Sequence, residues 1–355
     1  MSAVNATTFE RGRSLRADPL PWEFTSDDFA PPAVRQAFRI FGIVLVRNAL
    51  DADEVRGVRA ELDRAFSSEH RRDSAGMCPT EILMHPLTWS TMFKSRIVRA
   101  LRAALGPELC YHQDLQVARN SYGQSGWKRY TGWHMDSGSE GANAYIRAPD
   151  YRFAKCGIFL QDFDNGWGGG IRVKLKSHRR YFEPNALKRG FFFARRSLAR
   201  VASMLHLDVD TLTVPTRAGD LCFFDSRLMH SSVPPSWTNI KRIGYDRTPD
   251  VQGVWRDIPP EHTKYVIYWD SSNAAMVADF LRNSIERAER EPPDMVETHS
   301  RPAMFTRFLA MRYPDDFPAD FITAANRQQI GIVSLSQKET DFYKGKLQTM
   351  QLLYP

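Results

Sequence analysis

The chain has 355 residues, of which 43% are hydrophobic and 25% are charged, a composition typical of a soluble globular protein. This length accommodates one large domain or two of moderate size. Its net charge of +7 is spread over scattered basic pairs without a long basic run, which argues against a nucleic-acid-binding protein. Because no apolar stretch approaches the roughly 18 residues of a membrane span, a membrane protein is not expected either.

The N-terminal residues 1–30 are polar and contain prolines, and we predict an N-terminal arm without the apolar core of a secretion signal. Four cysteines, Cys78, Cys110, Cys156 and Cys222, lie far apart and form no C-x-x-C pair. This pattern predicts reduced, buried thiols and a cytoplasmic location.

The region from residue 31 to residue 105 has helical periodicity with one strand. The segment "PPAVRQAFRIFG" opens with prolines and predicts a helix that ends at Gly42. The branched run 43–46 predicts a strand, while 51–66 and 94–105 predict further helices.

From residue 110 to residue 246 the apolar runs become short, rich in branched and aromatic residues, and separated by turn residues. A predicted helical piece at 196–206 interrupts this series. Eight such runs indicate a double-stranded β-helix, the jelly-roll or cupin-like core, within a mainly β chain with flanking helices (α+β). The predicted strands are 114–120, 129–134, 156–163, 170–175, 211–215, 220–225, 227–233 and 241–246.

A further branched run at 265–270 is followed by helical patterns at 274–291 and 301–313. We therefore predict a core domain over 31–272 and a C-terminal helical extension over 273–355 that packs on the same domain.

The pattern His-x-Asp occurs three times, at His112-Gln-Asp114, His134-Met-Asp136 and His206-Leu-Asp208. Two histidines and one carboxylate form the facial triad that binds Fe(II) in non-haem oxygenases. In an extended segment residues i and i+2 point to the same side, so His-x-Asp supplies two ligands and a distant segment must supply the third. In a jelly-roll the first two ligands lie near the second strand and the third lies on the seventh. Only His134 and Asp136 end the predicted second strand, and His230 lies on the predicted seventh.

A cation follows the predicted third ligand. Arg242 lies twelve residues beyond His230, on the predicted last strand. A guanidinium binds a carboxylate through two parallel hydrogen bonds, which suits the distal carboxylate of 2-oxoglutarate. Lys241 and Arg242 point to opposite faces of a strand, so only one of them reaches the pocket, and the sequence leaves open which. The turn-rich segment that begins at Asp136 is suited to a lid.

These residues resemble the phytanoyl-CoA dioxygenase-like branch of the Fe(II)/2-oxoglutarate oxygenases. The resemblance covers roughly residues 30–270, although Lys176-Ser177-His178 replaces the Pro-Gly-Ser-His usual in the family. It implies that His134, Asp136 and His230 bind iron and are catalytic, and that Arg242 binds 2-oxoglutarate. It also implies co-substrate contacts from three further residues, Thr131, Ser232 and Gln116.

The expected cofactors are Fe(II), 2-oxoglutarate and O2. The expected reaction is the oxidation of an unactivated C–H bond of a small metabolite, in a specialised biosynthetic pathway, with release of succinate and CO2. Halogenating relatives carry a small residue where this chain has Asp136. We therefore expect hydroxylation, desaturation or cyclisation, and no halogenation.

Three alternative functions differ from the expected oxygenase in the class of protein they imply. A non-catalytic jelly-roll module that binds small molecules or sugars would not require the ordered triad, and a cupin-type metalloenzyme would not use 2-oxoglutarate. A nucleic-acid demethylase is disfavoured because Gly244 lies two residues beyond Arg242, where those enzymes carry a second arginine.

An anionic small molecule is compatible with the basic charge as a substrate, and the sequence leaves open whether the protein is a monomer or a homodimer.

Overall fold

A computed structural model describes the chain over residues 20–68, 76–120, 133–136, 146, 150–164, 166–181, 211–233, 235–236, 238–239, 258–281 and 310–353. Its strands are β1 (Glu23–Thr25), β2 (Ile43–Arg47), β3 (Gly76–Met77), β4 (Cys110–Arg119), β5 (Ala154–Phe159), β6 (Ile171–Lys174), β7 (Thr211–Thr213), β8 (Leu221–Asp225), β9 (His230–Ser232), β10 (Tyr265–Ser272) and β11 (Gly331–Val333).

The strands form two sheets. The 8-stranded sheet has the order β1-β2-β8-β5-β10-β4-β11, with β3 paired to β4. The 3-stranded sheet has the order β7-β6-β9, and an isolated antiparallel bridge between His134 and His230 extends it beyond β9. From β4 onward the chain passes repeatedly between the two sheets. The large sheet contains β4, β5, β8 and β10, and the small sheet contains β6, β7 and β9 together with His134. This crossing between sheets is the topology of a double-stranded β-helix, so the predicted fold class is confirmed.

The described residues also form helices, several of which pack on one face of the large sheet. They are α1 (Pro31–Phe41), α2 (Ala52–Ser67), α3 (Pro79–Ile82), α4 (Pro86–Ser90), α5 (Ser95–Leu105), α6 (Ala319–Arg327) and α7 (Gln337–Leu353), with a further helical stretch at 274–281. The helix α1 ends at Gly42, whose φ of 78° is the left-handed conformation that glycine adopts without strain. Asp51 and Glu54 begin α2 with a reciprocal capping box.

Aromatic contacts show which face of the large sheet the helices cover. Phe38 of α1 lies 5.8 Å from Phe223 of β8, measured between ring centroids, and Tyr111 of β4 lies 6.1 Å from Trp269 of β10. Since side chains alternate along a strand, the neighbours of Phe223 and Trp269 face the small sheet instead. These neighbours include Phe224 and Tyr268, and the functional site is built between the two sheets.

The predicted strand 241–246 stays a prediction. Residues 241–246 lie outside the described residues, and the position between β4 and β5 is occupied by β10, within which the additional run 265–270 falls. The first predicted strand also begins earlier, at Cys110, so His112 lies on β4 and does not precede it.

Several other boundaries also differ from those predicted. The short strands β1 and β11 were not predicted, and β1 places part of the N-terminal arm in the large sheet beside β2. Residues 310–313 are not helical, while 301–309 and the predicted helix 196–206 lie outside the described residues. The four cysteines are free and buried, as predicted.

Candidate metal centre

Two histidines face each other across the edge of the small sheet. The backbone amides of His134 and His230 each donate to the other residue's carbonyl at 3.0 Å. Directly opposed residues of an antiparallel pair project to the same side, so both imidazoles point the same way. Their ring centroids lie 4.3 Å apart. The strand pairing therefore brings together two residues that are far apart in sequence.

The carboxylate of Asp136 completes the cluster. Its Oδ1 lies 3.6 Å from Nε2 of His134, and its Oδ2 lies 3.6 Å from Nε2 of His230. One ligand atom from each of the three residues falls within 4.8 Å of the other two. Two imidazoles and one carboxylate form the donor set of a facial-triad iron site, so these residues fit the implied metal.

Hydrogen bonding and burial prepare His230 to bind a metal. Its Nδ1 lies 3.0 Å from the carbonyl oxygen of Leu228, and because a carbonyl only accepts, Nδ1 carries the proton and donates. Burial lowers the pKa of His230 to about 4, against an opposing effect of Asp136. The imidazole is therefore neutral near pH 7, with a lone pair on Nε2 directed at the cluster.

A buried ion pair fixes the turn that carries Leu228. The Arg227 guanidinium donates to both carboxylate oxygens of Asp225, at 2.9 and 2.6 Å, and to the carbonyl of Ile146 at 3.0 Å. It also lies 4.0 Å above the ring of Tyr151. Arg227 thus connects the turn before His230 to the chain that precedes β5, and sequence reasoning did not identify it.

The large sheet supplies the opposite wall of the site. The ring of Phe224 on β8 lies 4.5 Å from that of His230. Lys155 on β5 is the register partner of Phe224, while Tyr268 on β10 is the register partner of Gly157. Lys155 and Tyr268 were also not singled out from the sequence.

Two predicted co-substrate residues are described. Ser232 lies two residues beyond His230 on β9, so it points to the same side of that strand. Gln116 on β4 is the register partner of Tyr268 and shares its face of the large sheet. The predicted residues Thr131, Lys241 and Arg242 lie outside the described residues, as does most of the predicted lid after Asp136.

Of the other two His-x-Asp motifs, the one that begins at His112 lies apart from this cluster. His112 is buried on the helix side of the large sheet, where it borders a small cavity with Met92, Leu115 and Phe321. The motif at His206 lies outside the described residues.

A double-stranded β-helix with two histidines and an aspartate clustered between its sheets defines the class of mononuclear non-haem iron oxygenases. Within that class, residues 38–236 match the sequence profile of the phytanoyl-CoA dioxygenase (PhyH) family. The chain belongs to this family, and it is an iron- and 2-oxoglutarate-dependent oxygenase.

Solved structures with a similar fold include EctD from S. alaskensis, with 2-oxoglutarate and 5-hydroxyectoine (18% identity, 75% of this chain and 86% of that chain covered, TM-score 0.44). Another is SnoK, a non-heme alpha ketoglutarate dependent carbocyclase from nogalamycin biosynthesis (16% identity, 73% and 88% covered, TM-score 0.44). A third is HygX from Streptomyces hygroscopicus with nickel and 2-oxoglutarate (14% identity, 67% and 85% covered, TM-score 0.42).

Comparison with curated protein sequences gave no significant match. Within the described ranges, no helix combines the length and the apolar character needed to cross a bilayer.

Proposed function

We propose that the enzyme oxidises an unactivated C–H bond of a small metabolite, by hydroxylation, desaturation or cyclisation, in a specialised biosynthetic pathway. 2-Oxoglutarate would be converted to succinate and CO2. The cluster of His134, Asp136 and His230 carries this proposal, because it presents the required donor set between the two sheets. When bound, iron with 2-oxoglutarate and O2 supplies the oxidising chemistry.

The protein side chains hold and orient the reactants. His134, Asp136 and His230 would hold the metal on one face, with the Leu228 carbonyl keeping His230 in the tautomer that binds through Nε2. The carboxylate of Asp136 offsets part of the charge of the ion. Ser232 lies on the small sheet and Gln116 on the metal-facing side of the large sheet, and both are proposed co-substrate contacts. Thr131 and either Arg242 or Lys241 are further proposed contacts.

Anaerobic titration with Fe(II) and 2-oxoglutarate tests the metal assignment. The wild-type protein should develop the weak visible charge-transfer band of a metal-bound 2-oxo acid, and His134→Ala should lose both the band and succinate formation. His85→Ala, which removes a histidine outside the cluster, should retain both. A wild-type protein without the band would favour a non-catalytic binding module or a cupin-type enzyme that does not use 2-oxoglutarate.

The substrate is best sought by measuring coupled succinate release across a panel of small metabolites, including anionic ones. Because a carboxylate is present at position 136, the products should contain no halogen even in chloride buffer. A chlorinated product would contradict the proposed role of Asp136.

We also propose a cytoplasmic location, which the free, buried cysteines support. The protein would act as a monomer or a homodimer, which sedimentation analysis would distinguish.

A further inference from the structure

The peptide group that joins Leu228 to Met229 forms a hydrogen bond at each of its two ends. Its carbonyl oxygen accepts from Nδ1 of His230 at 3.0 Å, and its N–H donates to Oγ of Ser177 at 2.8 Å. Because both bonds involve one planar peptide unit, the Ser177 hydroxyl constrains the direction in which the Leu228 carbonyl points. A continuous chain of two hydrogen bonds thus connects Ser177 to the ring of His230.

The segment that follows β6 is shaped so that Ser177 reaches this peptide group. The amide of Lys174, the last residue of β6, donates to the carbonyl of Met229 at 2.9 Å. Two residues later Lys176 has a φ of 65°, a left-handed conformation that is unusual for a residue with a side chain. The chain leaves β6 there, and the next side chain, that of Ser177, accepts from the amide of the same Met229. Both backbone polar groups of Met229 are therefore held by one short segment.

The residue after Ser177 supports the side chain of Leu228. A Cβ added to Gly42 would lie 2.4 Å from Nδ1 of His178 and 2.9 Å from Cδ1 of Leu228, so both side chains pack on this glycine. The imidazole of His178 is buried, and its Nε2 lies 3.2 Å from the carbonyl oxygen of Arg39. The segment 177–178 therefore holds the peptide group before His230 through both backbone and side-chain contacts.

The two hydrogen bonds of the chain strengthen each other. When the Met229 amide donates to Ser177, the peptide group is polarised and its carbonyl oxygen becomes a better acceptor. A stronger bond to this oxygen keeps the proton of His230 on Nδ1 and leaves a lone pair on Nε2, which lies 3.6 Å from Oδ2 of Asp136. It also raises the basicity of the imidazole as a metal ligand.

We propose that Ser177 is a positioning residue of the metal centre, which orients His230 and selects its tautomer through the peptide group between Leu228 and Met229. This inference rests on the proposed role of His230 as a metal ligand. The hydroxyl acts at a distance of two hydrogen bonds from the imidazole, so its effect is on how the ligand is presented to the metal.

The tautomer of His230 is the direct readout, and it is measured in the metal-free protein. Long-range proton–nitrogen NMR of histidine-labelled protein distinguishes a ring protonated on Nδ1 from one protonated on Nε2, and His230→Gln identifies the signal. Wild type at neutral pH should show the Nδ1-protonated ring. Ser177→Ala should show a mixture of both tautomers, because the Leu228 carbonyl is no longer held in line with the ring.

The affinity for Fe(II), measured by anaerobic titration, is the second readout. Loss of a group that orients a metal ligand commonly lowers affinity roughly 10–100-fold, and Ser177 acts one hydrogen bond further out. Ser177→Ala should therefore weaken Fe(II) binding about three- to tenfold. Ser177→Thr keeps a hydroxyl acceptor and should restore both the tautomer and the affinity.

A matched control separates this role from a general loss of stability. Thr340 on α7 is 1% exposed, and its hydroxyl donates to the carbonyl of Ser336 at 2.9 Å. Thr340→Val removes one buried hydroxyl bond, as Ser177→Ala does, but it should change neither the tautomer of His230 nor the Fe(II) affinity.

The inference is overturned if Ser177→Ala, shown by urea denaturation to be folded, keeps the wild-type tautomer and Fe(II) affinity. Equal losses in Ser177→Ala and Thr340→Val would overturn it as well, because they would show an effect of stability alone. Unchanged Fe(II) binding in His134→Ala would instead refute the proposed metal site. The NMR comparison requires no metal, so the two failures are distinguishable.

Discussion

Arg227 offers a test of how the turn before His230 is held. In Arg227→Met the hydrophobic stem of the side chain is largely kept while the guanidinium is lost. Its partner Asp225 is 2% exposed and would remain buried without its counterion. The carbonyl of Ile146 would lose a donor as well.

Breaking a buried ion pair by removing one partner costs about 3–5 kcal/mol. The backbone amide of residue 227 already donates to Oδ1 of Asp225 at 2.9 Å, and this bond survives the substitution. We therefore expect a loss near the lower limit, about 3 kcal/mol in the free energy of unfolding. Since the turn also places the Leu228 carbonyl that orients His230, Fe(II) affinity should fall about tenfold.

Urea denaturation measures the first effect, and Fe(II) titration of the folded variant measures the second. Arg56→Met is the matched control, because Arg56 pairs with Asp53 on the exposed side of α2 with side chains that are 71% and 84% exposed. An exposed pair contributes about 0.5 kcal/mol or less. If Arg227→Met costs no more than this control, the buried pair does not hold the turn and our reasoning is wrong.

Three further predictions concern the scaffold. Gly219→Ala should lower the free energy of unfolding by at least about 2 kcal/mol in urea denaturation, because φ is +88° and the new Cβ would lie 2.4 Å from the carbonyl oxygen of Leu50. Glu61→Gln should cost about 1–2 kcal/mol in the same assay, because the buried carboxylate accepts from the amide and hydroxyl of Thr88 at 2.7 and 2.6 Å; an unchanged midpoint would contradict this. Burial lowers the pKa of His178, so the unfolded chain takes up its proton first as the pH falls below about 6.5. The stability that His178 contributes is thus present above that pH and lost below it, and thermal unfolding of His178→Gln should depend less on pH over this range than wild type.

The choice among the three His-x-Asp motifs shows what the sequence could predict. His134 and Asp136 stood out because of their position in the strand series, and the structure brings them together with His230. Two general rules were enough for this prediction. Alternation along a strand placed the His-x-Asp pair on one side, and the order of strands in a jelly-roll indicated where the third ligand would be.

The last barrel strand could not be predicted in the same way. The runs 241–246 and 265–270 both contain branched and aromatic residues, and counting runs in order favours the first. The pairing that decides is long-range, because β10 lies between β4 and β5, which are distant from it in sequence. A period-2 pattern identifies a strand but does not specify its partner. For this reason the sequence could not show which segment faces the metal from the centre of the large sheet.

Lys155 and Tyr268 were missed for a related reason. The strand β5 is nearly continuously buried, since one face packs on helices and the other faces the small sheet. A strand buried on both faces shows no alternation from which an inward lysine could be recognised. Gly157 appears in the sequence as an interruption of the strand, and its reason becomes clear only when the ring of Tyr268 is seen to cross it.

The two halves of the site therefore come from different sheets and follow different rules. The metal ligands are placed by pairing at the edge of the small sheet, which local spacing and strand order describe well. The opposite wall, which includes Lys155 and Tyr268, is placed by register across β5, β8 and β10 of the large sheet. The two halves meet where the ring of Phe224 lies 4.5 Å from that of His230. The shape of the space beside the metal ligands is thus a property of how the sheets pack together, which no single motif of this chain encodes.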